Sequence, residues 1–240
     1  MMKDIFGKST FIKNVGEIYP VKVKDYDVFS ENSGLLYISK NHFDERFQQY
    51  PLLDLIIASY SSLNLSGEDF LNQFCQLFEL VTCKKVSVGE SNKQLMFKVG
   101  ENNFINSENY EDIRKEIMRQ NLMHEQKVYK TELMRKWAEK AMKAKQKTAP
   151  KISLEDIITT ISVGCSKTYS ELENYTIYQI YSDFYRLRKM VEYDSNVQFR
   201  CAGADLKLED YAEDLDLYHN PYDDLFVSAD KLGGLNKMVK

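Results

Sequence analysis

The chain has 240 residues, a net charge of −4 and 43% hydrophobic residues, which is enough for one large domain or two small ones with a real core. The mild acidity gives no whole-chain reason to expect nucleic acid or an anionic membrane as the partner. The sequence contains no run of about 18 apolar residues, so no transmembrane helix is expected. Residues 1–8 lack the apolar stretch and cleavage site of an export signal, so we expect a cytoplasmic protein.

The first part of the chain predicts short strands and then a helix. β-branched and aromatic residues predict three strands, at 11–12, 18–19 and 21–23. Pro20 restricts its strand to a sheet edge or a strand start. Residues 25–29 begin a short helix. The apolar run 35–38 is either a strand or the end of that helix, because it is too short for periodicity to decide.

Two longer helices follow. Pro51, at the tolerated first helical position, predicts a helix that continues to about Ser61. Ser66 precedes acidic residues and predicts a cap for the next helix. That helix has one apolar face, formed by Phe70, Leu71, Phe74, Leu77, Phe78 and Val81.

A β-hairpin is predicted next, with arms at 85–88 and 94–99 around turn residues 89–92. Residues 104–105 can add a third short strand. We therefore interpret residues 1–106 as a mixed α/β N-terminal module.

Residues 107–150 predict a long basic helix or linker, with a break near 121–126 where its apolar stripe drifts. From 107 to 151 there are 12 Lys or Arg residues and 7 Asp or Glu residues. Five lysines surround Trp137 near the end of this helix: Lys136, Lys140, Lys143, Lys145 and Lys147. A solvated helix face explains this pattern, and nucleic-acid binding or pairing with an acidic surface are alternatives.

Residues 151–240 predict a helical C-terminal module with an acidic tail. Helix caps are predicted at Ser153, at Ser170 with Glu173, and at Thr176 with Gln179. The last of these helices carries an apolar stripe made of Ile177, Ile180, Tyr181, Phe184, Leu187 and Val191. Residues 205–230 contain nine Asp or Glu residues and one Lys. Residues 233–240 are expected to fray. The fold class predicted for the whole chain is α+β, mainly helical, with a small antiparallel β element in the N-terminal half.

A dense aromatic set lies on the last helix and just before it. Tyr is a frequent contact residue because it combines a rigid apolar ring with a polar end. We interpret part of this set as a partner-binding surface, consisting of Tyr175, Ile177, Tyr178, Tyr181, Phe184 and Tyr185. Because of the helical spacing, roughly half of the aromatic set is expected in the core.

No pattern typical of a catalytic, cofactor or metal site is present. His42, His124 and His219 lack metal-ligand spacing, and the acidic run from Asp214 lacks the glycine and third ligand of a calcium loop. Phosphate-binding glycine loops and catalytic Ser or Cys signatures are absent. The four cysteines form no C-x-x-C pair and are interpreted as reduced structural residues, namely Cys75, Cys83, Cys165 and Cys201. We expect neither an enzyme nor a metal or cofactor site.

Four segments in order along the chain resemble a known family. They are residues 18–26 (IYPVKVKDY), 113–121 (IRKEIMRQN), 176–181 (TIYQIY) and 202–211 (AGADLKLEDY). Together they are similar to the tail assembly chaperones of long-tailed bacteriophages and prophages of Gram-positive hosts. One departure is that members of this family often end soon after the last segment, frequently with Trp where Tyr211 stands. Here an acidic tail follows, which leaves room for a structural tail or baseplate component.

The resemblance implies a non-enzymatic function. A chaperone of this kind binds the tape-measure protein, whose long apolar helical face would otherwise aggregate, and is then displaced by the tail-tube protein. The implied partners are these two proteins, with self-association as a further option and neither membrane nor nucleic acid expected. The protein would act in the cytoplasm of the infected host and be absent from the mature virion. A nucleic-acid-binding phage regulator is a third alternative.

Overall fold

The computed structural model describes residues 2–60, 67–91, 94–125, 132–148 and 152–223. The fold is α+β, as predicted, with two small antiparallel sheets in the N-terminal half and helices in the C-terminal half. The helices are α1 (Met2–Ile5), α2 (Tyr26–Asn32), α3 (Leu52–Ser59), α4 (Gly67–Thr82), α5 (Tyr110–Gln120), α6 (Glu132–Thr148), α7 (Leu154–Cys165), α8 (Tyr169–Leu172) and α9 (Ile177–Cys201). The strands are β1 (Thr10–Ile12), β2 (Gly16–Ile18), β3 (Val86–Ser91), β4 (Gln94–Val99) and β5 (Asn103–Ile105).

Both sheets are hairpin-built. Strand β1 pairs with β2, and β3, β4 and β5 follow one another in a three-stranded sheet. The predicted hairpin and third strand are confirmed, although β3 continues to Ser91, beyond the expected start of the turn at Gly89. Residues 35–37 of the ambiguous run belong to a 3-10 turn, Ser33–Tyr37, that continues from α2, and Ile38 follows it with an extended backbone.

The predicted strand at 21–23 is wrong. Val23–Asp25 forms a 3-10 turn, and only Lys22 makes an isolated bridge, with Thr176. The backbone N–H of Val21 donates to the side chain of Asn121 at 3.1 Å, so its hydrogen bond goes to a helix C-terminus and not to a strand. Distant residues therefore override a local β propensity.

The main core is built on the apolar face of α4. Phe74 lies at its centre, with its ring centroid between 5.0 and 5.8 Å from the rings of four neighbours, Phe70, Phe78, Phe97 and Tyr110. Tilted and edge-to-face pairs of this kind add to the free energy gained from burial alone. Burial raises the pKa of the Tyr110 hydroxyl, which stays neutral in this apolar setting.

One cation is enclosed by this core. Arg114 on α5 is 1% exposed, and its Nε donates to the carbonyl oxygen of Leu36 at 2.7 Å. A buried guanidinium needs such acceptors because desolvation otherwise makes its charge very costly. The contact ties α5 to the 3-10 turn after α2.

The N-terminal helix is fastened by an ion-pair network. Asp4, 4% exposed, accepts from Arg119 at 3.0 Å, and Arg119 also pairs with Glu116 at 2.8 Å. These carboxylates raise the pKa of Arg119. Burial alone would raise the pKa of Glu116, but its hydrogen bonds, chiefly from Arg119, outweigh burial and lower it. The Gln179 side chain donates to the Ile5 carbonyl at 2.7 Å, which attaches α1 to α9 as well.

Backbone hydrogen bonds join the start of the chain to the C-terminal helices. Val23 and Lys24 donate to the carbonyls of Tyr175 and Glu173 at 2.9 and 3.0 Å. Ile177 donates in return to the carbonyl of Val21 at 3.2 Å. The segment before α9 is therefore held against the N-terminal region by main-chain contacts, independently of side-chain identity.

The predicted helix break is confirmed, because α5 ends at Gln120 and Leu122 has a left-handed φ of 54°. The last residue of the expected break, 126, lies outside the described residues, as does the tail 233–240. The chain divides into two compact units, one of Met1–Met123 with Ser153–Leu217, the other of His124–Ile152 with Tyr218–Lys240. The module boundaries at 106 and 150 stay predictions.

The C-terminal helices begin at well-formed caps. Capping boxes at Ser153 with Asp156 and at Thr176 with Gln179 agree with the predicted positions. The box predicted from Ser170 to Glu173 is wrong, because α8 begins two residues earlier and uses Thr168 with Glu171. Both pairs have the same spacing, so the sequence pattern alone does not distinguish them. The predicted start of α3 is also one residue early, since Pro51 is the N-cap and not the first helical residue.

Candidate functional site

Helix α9 changes character along its length. Its first turns bury Ile177, Ile180 and Phe184, and the last two of these join a small second core with residues of α7 and α8. None of the residues 185–201 is buried, although the apolar stripe continues through Leu187 and Val191. The second half of α9 therefore presents an apolar face that the larger unit does not cover.

Helix α7 lies against this stripe in the opposite direction. Lys167, just after α7, pairs with Asp183 near the start of α9 at 3.7 Å. One turn earlier in α7, a Cβ added to Gly164 would stand 2.5 Å from Cδ2 of Leu187. The absence of a side chain at Gly164 therefore allows Leu187 to lie directly on the backbone of α7.

The two helices enclose an open groove of about 900 Å³. Its lining residues come in two sets of four, Thr159, Thr160, Val163 and Gly164 from α7, and Leu187, Arg188, Val191 and Glu192 from α9. Val163 is 84% exposed and Val191 is 59% exposed. An apolar groove of this kind, with a few polar groups at its edge, is a typical protein-binding feature.

The charges of the groove lie on one edge. Arg188 and Glu192 stand one helical turn apart, and the guanidinium of Arg188 lies 5.7 Å from the ring centre of Phe184. Successive helical residues are about 100° apart around the axis, so both charges lie on the side of α9 away from Leu187 and its contact with Gly164. The groove has α7 along one side and this pair of opposite charges along the other.

The opposite face of α9 is covered by the segment 205–217. Arg186 donates to the carbonyls of Tyr211 and Glu213, the latter at 2.9 Å. The rings of Tyr193 and Tyr211 meet edge to face at 5.5 Å. The chain itself therefore covers the polar side of α9 and leaves the apolar groove accessible.

The structure does not bring the six predicted partner-binding residues onto one surface. Ile177, Tyr178 and Phe184 are buried. Burial, followed by the negative charge of Asp4, raises the pKa of the Tyr178 hydroxyl. These three side chains support α9 from inside. Their partner-binding role stays a prediction, but a partner could reach them only if the unit opened.

The other three predicted residues are accessible to different degrees. Tyr175 is half-buried, with the ammonium of Lys167 hydrogen-bonded to its hydroxyl and 4.6 Å from its ring centre. That hydrogen bond is the main reason why the pKa of Lys167 is raised. Tyr181 is half-buried and stacks on the exposed Tyr185 at 6.3 Å. None of these three tyrosines lines the groove between α7 and α9.

Sequence reasoning missed the α7 side of the groove. Thr159, Thr160, Val163 and Gly164 show no apolar periodicity, so nothing in the pattern separates them from a solvated face. The α9 side was recognisable, since Leu187 and Val191 continue the stripe of the buried residues. The sequence did not show at which residue of α9 the buried core ends and the exposed stripe begins.

The basic helix α6 belongs to the second compact unit. Four of its lysines lie at exposed positions with heptad-like spacing, Lys136, Lys140, Lys143 and Lys147. Trp137 is 67% exposed among them. Such a surface suits phosphates or acidic side chains, because it combines cations with an accessible ring.

Two of the three histidines, His124 and His219, interact with each other, and His42 makes a local contact. His42 caps a short turn through Ser39, and burial lowers the pKa of His124, with the charge of His219 adding to that effect. Within the described ranges no group of three or more His, Cys, Asp or Glu side chains could hold a metal ion. In that same part of the chain, no helix is long and apolar enough to cross a membrane.

The interpretation of the four cysteines as reduced residues agrees with the structure, but their exposure differs. All four are free thiols, but only Cys75 is partly buried, and burial is the main cause of its raised pKa. The exposed ones are Cys83, Cys165 and Cys201. A helical position, which is what the sequence showed, does not by itself bury a thiol.

Comparison with known proteins gives two matches. Residues 143–216 match the family described as the YomV second domain, which spans the end of α6, α7 to α9 and most of the covering segment. Over 227 residues the chain is 24% identical to the SPbeta prophage-derived uncharacterized protein YomV of Bacillus subtilis (strain 168), with 90% of each chain covered. No solved structure matches. The similarity supports the expected phage origin, and neither name refers to tail assembly.

Proposed function

We propose that this chain is a phage tail assembly chaperone that binds helical segments of the tape-measure protein in the groove between α7 and α9. The observation that carries the proposal is the groove itself, an accessible apolar surface whose opposite side the chain already covers. The resemblance of four segments to tail assembly chaperones supports the same function, and the similarity to a prophage-derived protein supports a phage origin.

The borders of the groove suit a helix. Helices α7 and α9 run antiparallel along its two sides, so a helix lying between them can contact both. An amphipathic helix placed there would shield its apolar face from water, which is the surface that drives aggregation of an unassembled tape-measure protein.

The polar edge suits a temporary complex. Threonines and one pair of opposite charges surround a small apolar floor, so the affinity of each contact is modest. Modest affinity means fast dissociation, and most differences in affinity between related complexes lie in the dissociation rate. Tube subunits that bind the same helix more extensively would then displace the chaperone.

The test is co-expression with the tape-measure protein of the same phage. The variant is Val163→Glu with Val191→Glu, which places charge in the groove at two exposed positions. The matched control is Val28→Glu, an exposed valine of α2 that does not line the groove. We expect soluble, co-purifying tape-measure protein with the wild type and the control, and insoluble tape-measure protein with the groove variant.

Two results would contradict the proposal. Tape-measure protein that is equally insoluble with and without the wild-type chain would exclude chaperone activity. A groove variant with a native circular dichroism spectrum that protects as well as the wild type would place binding elsewhere. Recovery of the chain from purified virions would favour the structural tail or baseplate alternative, since a chaperone leaves before the tail is complete.

The exposed lysines of α6 favour nucleic-acid binding as a second candidate function. Phosphate contacts release counterions, so such binding weakens steeply with salt. Lys140→Glu with Lys143→Glu would abolish a salt-dependent shift of labelled DNA or RNA. The absence of any shift at low salt with the wild type would exclude this candidate.

A further inference from the structure

The edge of the groove is complementary to itself. Arg188 and Glu192 are opposite charges separated by one helical turn on the same side of α9. We propose that two copies of this chain pair through this groove, with the second half of α9 from each copy lying antiparallel to the other, and that this pairing closes the groove until the tape-measure helix displaces it. The closing role, though not the pairing itself, rests on the proposed function.

The charge pattern determines the arrangement. In a two-fold symmetric interface every contact occurs twice. If one residue contacts a second residue of the other copy, the second residue of the first copy makes the same contact with its counterpart. If the axis crosses α9 at the level of Met190, Arg188 of each copy lies beside Glu192 of the other. Two ion pairs then form at once. A parallel arrangement in register would instead place each charged residue beside the same residue of the other chain, so that like charges would be adjacent.

The apolar part fits the same arrangement. Leu187 and Val191 lie on the groove face at nearly the same level as the two charges, so the two stripes would face each other. Val163 on α7, 84% exposed, lies along the side of the groove that the second α9 would occupy. The result is a four-helix arrangement, α7 and α9 from each copy, in which the exposed valines are enclosed.

The length of helix available is sufficient. Residues 185–201 of α9 include no buried residue and span about 25 Å at 1.5 Å per residue. The segment 205–217 contacts the other face of α9 through Arg186 and Tyr193. It also borders a small pocket with Glu192 at the groove edge, but it leaves Val191 59% exposed. Each copy therefore offers both an open groove and a free helical face of the kind that the groove accepts.

Pairing of two copies has a consequence for regulation of the groove. A copy that is paired cannot bind a tape-measure helix, because both occupants use the same surface. The free chaperone would therefore protect its own apolar groove from unspecific contacts, and the tape-measure protein would have to compete for it. One chain per bound helical segment, and not a dimer per segment, is then the expected stoichiometry.

The experiment uses charge reversal on the full chain. Arg188→Glu brings two pairs of glutamates together in the dimer, and Glu192→Arg brings two pairs of arginines together. Each variant alone should have a dimer dissociation constant about 100-fold higher than the wild type, since like charges placed together across an interface are strongly unfavourable. Mixed one to one, the two variants should form a heterodimer with both ion pairs restored.

The mixture separates pairing from effects within one helix. Arg188 and Glu192 can also interact along their own helix, and mixing two variants cannot restore an intrahelical pair. Arg200→Glu, at another exposed position of α9 outside the groove, is the matched control and should dimerise like the wild type. The measurement is sedimentation velocity over a range of concentrations, with circular dichroism to confirm that every variant is folded.

Each outcome has a distinct meaning. A wild type that is monomeric at about 100 µM, well above the dissociation constants of specific complexes, overturns the pairing. A wild-type dimer that tolerates either reversal, or reversed variants that do not recombine, places the interface elsewhere. Co-purified tape-measure complexes that still contain the dimer overturn the closing role alone. None of these results alters the solubility assay, so the proposed function stands or falls separately.

Discussion

Two regions of the larger compact unit differ in how they bury their apolar side chains. The core of the N-terminal region encloses four aromatic rings, those of Phe70, Phe74, Phe78 and Phe97, which are all nearly inaccessible to water. The α7 and α9 region has a core of five buried residues, and its apolar stripe runs beyond that core to Val191. The rings around Phe74 serve folding alone, whereas the stripe of the α7 and α9 region continues from its core into an open groove.

Because of this difference, substitutions in the two regions should affect different properties, namely the stability of the fold and the binding of a partner. Substitutions in the N-terminal core should change the free energy of unfolding by large amounts and affect binding only through loss of the fold. Substitutions in the groove should change binding while the fold is retained, because exposed side chains contribute little to folding. The predictions below test the contrast from its largest consequence to its smallest.

Phe74→Ala should cause the largest loss of stability. Four rings surround Phe74, and removal of a fully buried phenylalanine leaves a cavity that costs about 3–5 kcal/mol. Urea denaturation followed by circular dichroism measures the change. Phe11→Ala, at an exposed ring of β1, should change stability by less than about 0.5 kcal/mol. Equal effects of the two substitutions would remove the contrast between enclosed and exposed apolar residues.

Arg119→Met should have an intermediate effect. The substitution removes the guanidinium that neutralises the buried carboxylate of Asp4, at a site where Arg119 itself keeps some contact with solvent. We expect a loss of about 2 kcal/mol, below the cost of breaking a fully buried pair. Lys115→Met, at an exposed position of the same helix, is the control and should leave the denaturation midpoint nearly unchanged. Identical midpoints for both variants would mean that the network does not stabilise the fold.

Glu116 should make part of this stability dependent on pH. Its folded-state pKa lies below the ordinary value of 4.5, so its ionised form favours the folded state. Its contribution is present above pH 4.5 and is lost as the pH falls through the lower folded-state pKa. Wild type should therefore exceed Glu116→Gln in stability at neutral pH, and the difference should shrink in acid. A difference that is constant from neutral pH to below the ordinary carboxyl range would contradict this assignment.

Gly164→Ala should have the smallest effect on stability and a clear effect on binding. An alanine favours the helix by up to about 1 kcal/mol, but its Cβ displaces the end of the Leu187 side chain. We expect the free energy of unfolding to change by about 1 kcal/mol or less, because these two effects oppose each other. The displaced Leu187 should fill the floor of the groove and reduce protection of the tape-measure protein. Gly34→Ala, where an added Cβ has no atom within 4 Å, is the control.

The sequence allowed most elements of the fold to be predicted. The apolar face of α4, the hairpin of β3 and β4, and the caps at Ser153 and Thr176 were readable because each depends on spacing within one segment. The strand at 21–23 failed for the opposite reason. Its backbone partners are Asn121 and Ile177, which lie about 100 residues or more along the chain, and no local pattern reveals them.

The candidate site was predictable only in part. Periodicity identified the stripe of α9, but a stripe that ends in a core and a stripe that ends in an open groove have the same spacing. That is why Ile177, Tyr178 and Phe184 were selected although they are buried, and why Val163 was not selected although it is exposed. The position of Gly164 against Leu187 is a property of two packed helices and has no signature in either helix alone.

The hydrogen bonds between residues 21–24 and 173–177 have a consequence for the order in which the chain matures on the ribosome. The aromatic core needs residues up to 123, whereas the carbonyl of Val21 accepts its hydrogen bond from Ile177. At about 5–20 residues per second, the ribosome needs roughly 3–11 s to synthesise the residues between these two points. During that interval the backbone groups of residues 21–24 lack their hydrogen-bond partners at 173–177. The segment that supplies these partners lies between the two helices that line the groove. The hydrogen bond from Ile177 to Val21 can therefore form shortly before the last lining residues of the groove, up to Glu192, are synthesised.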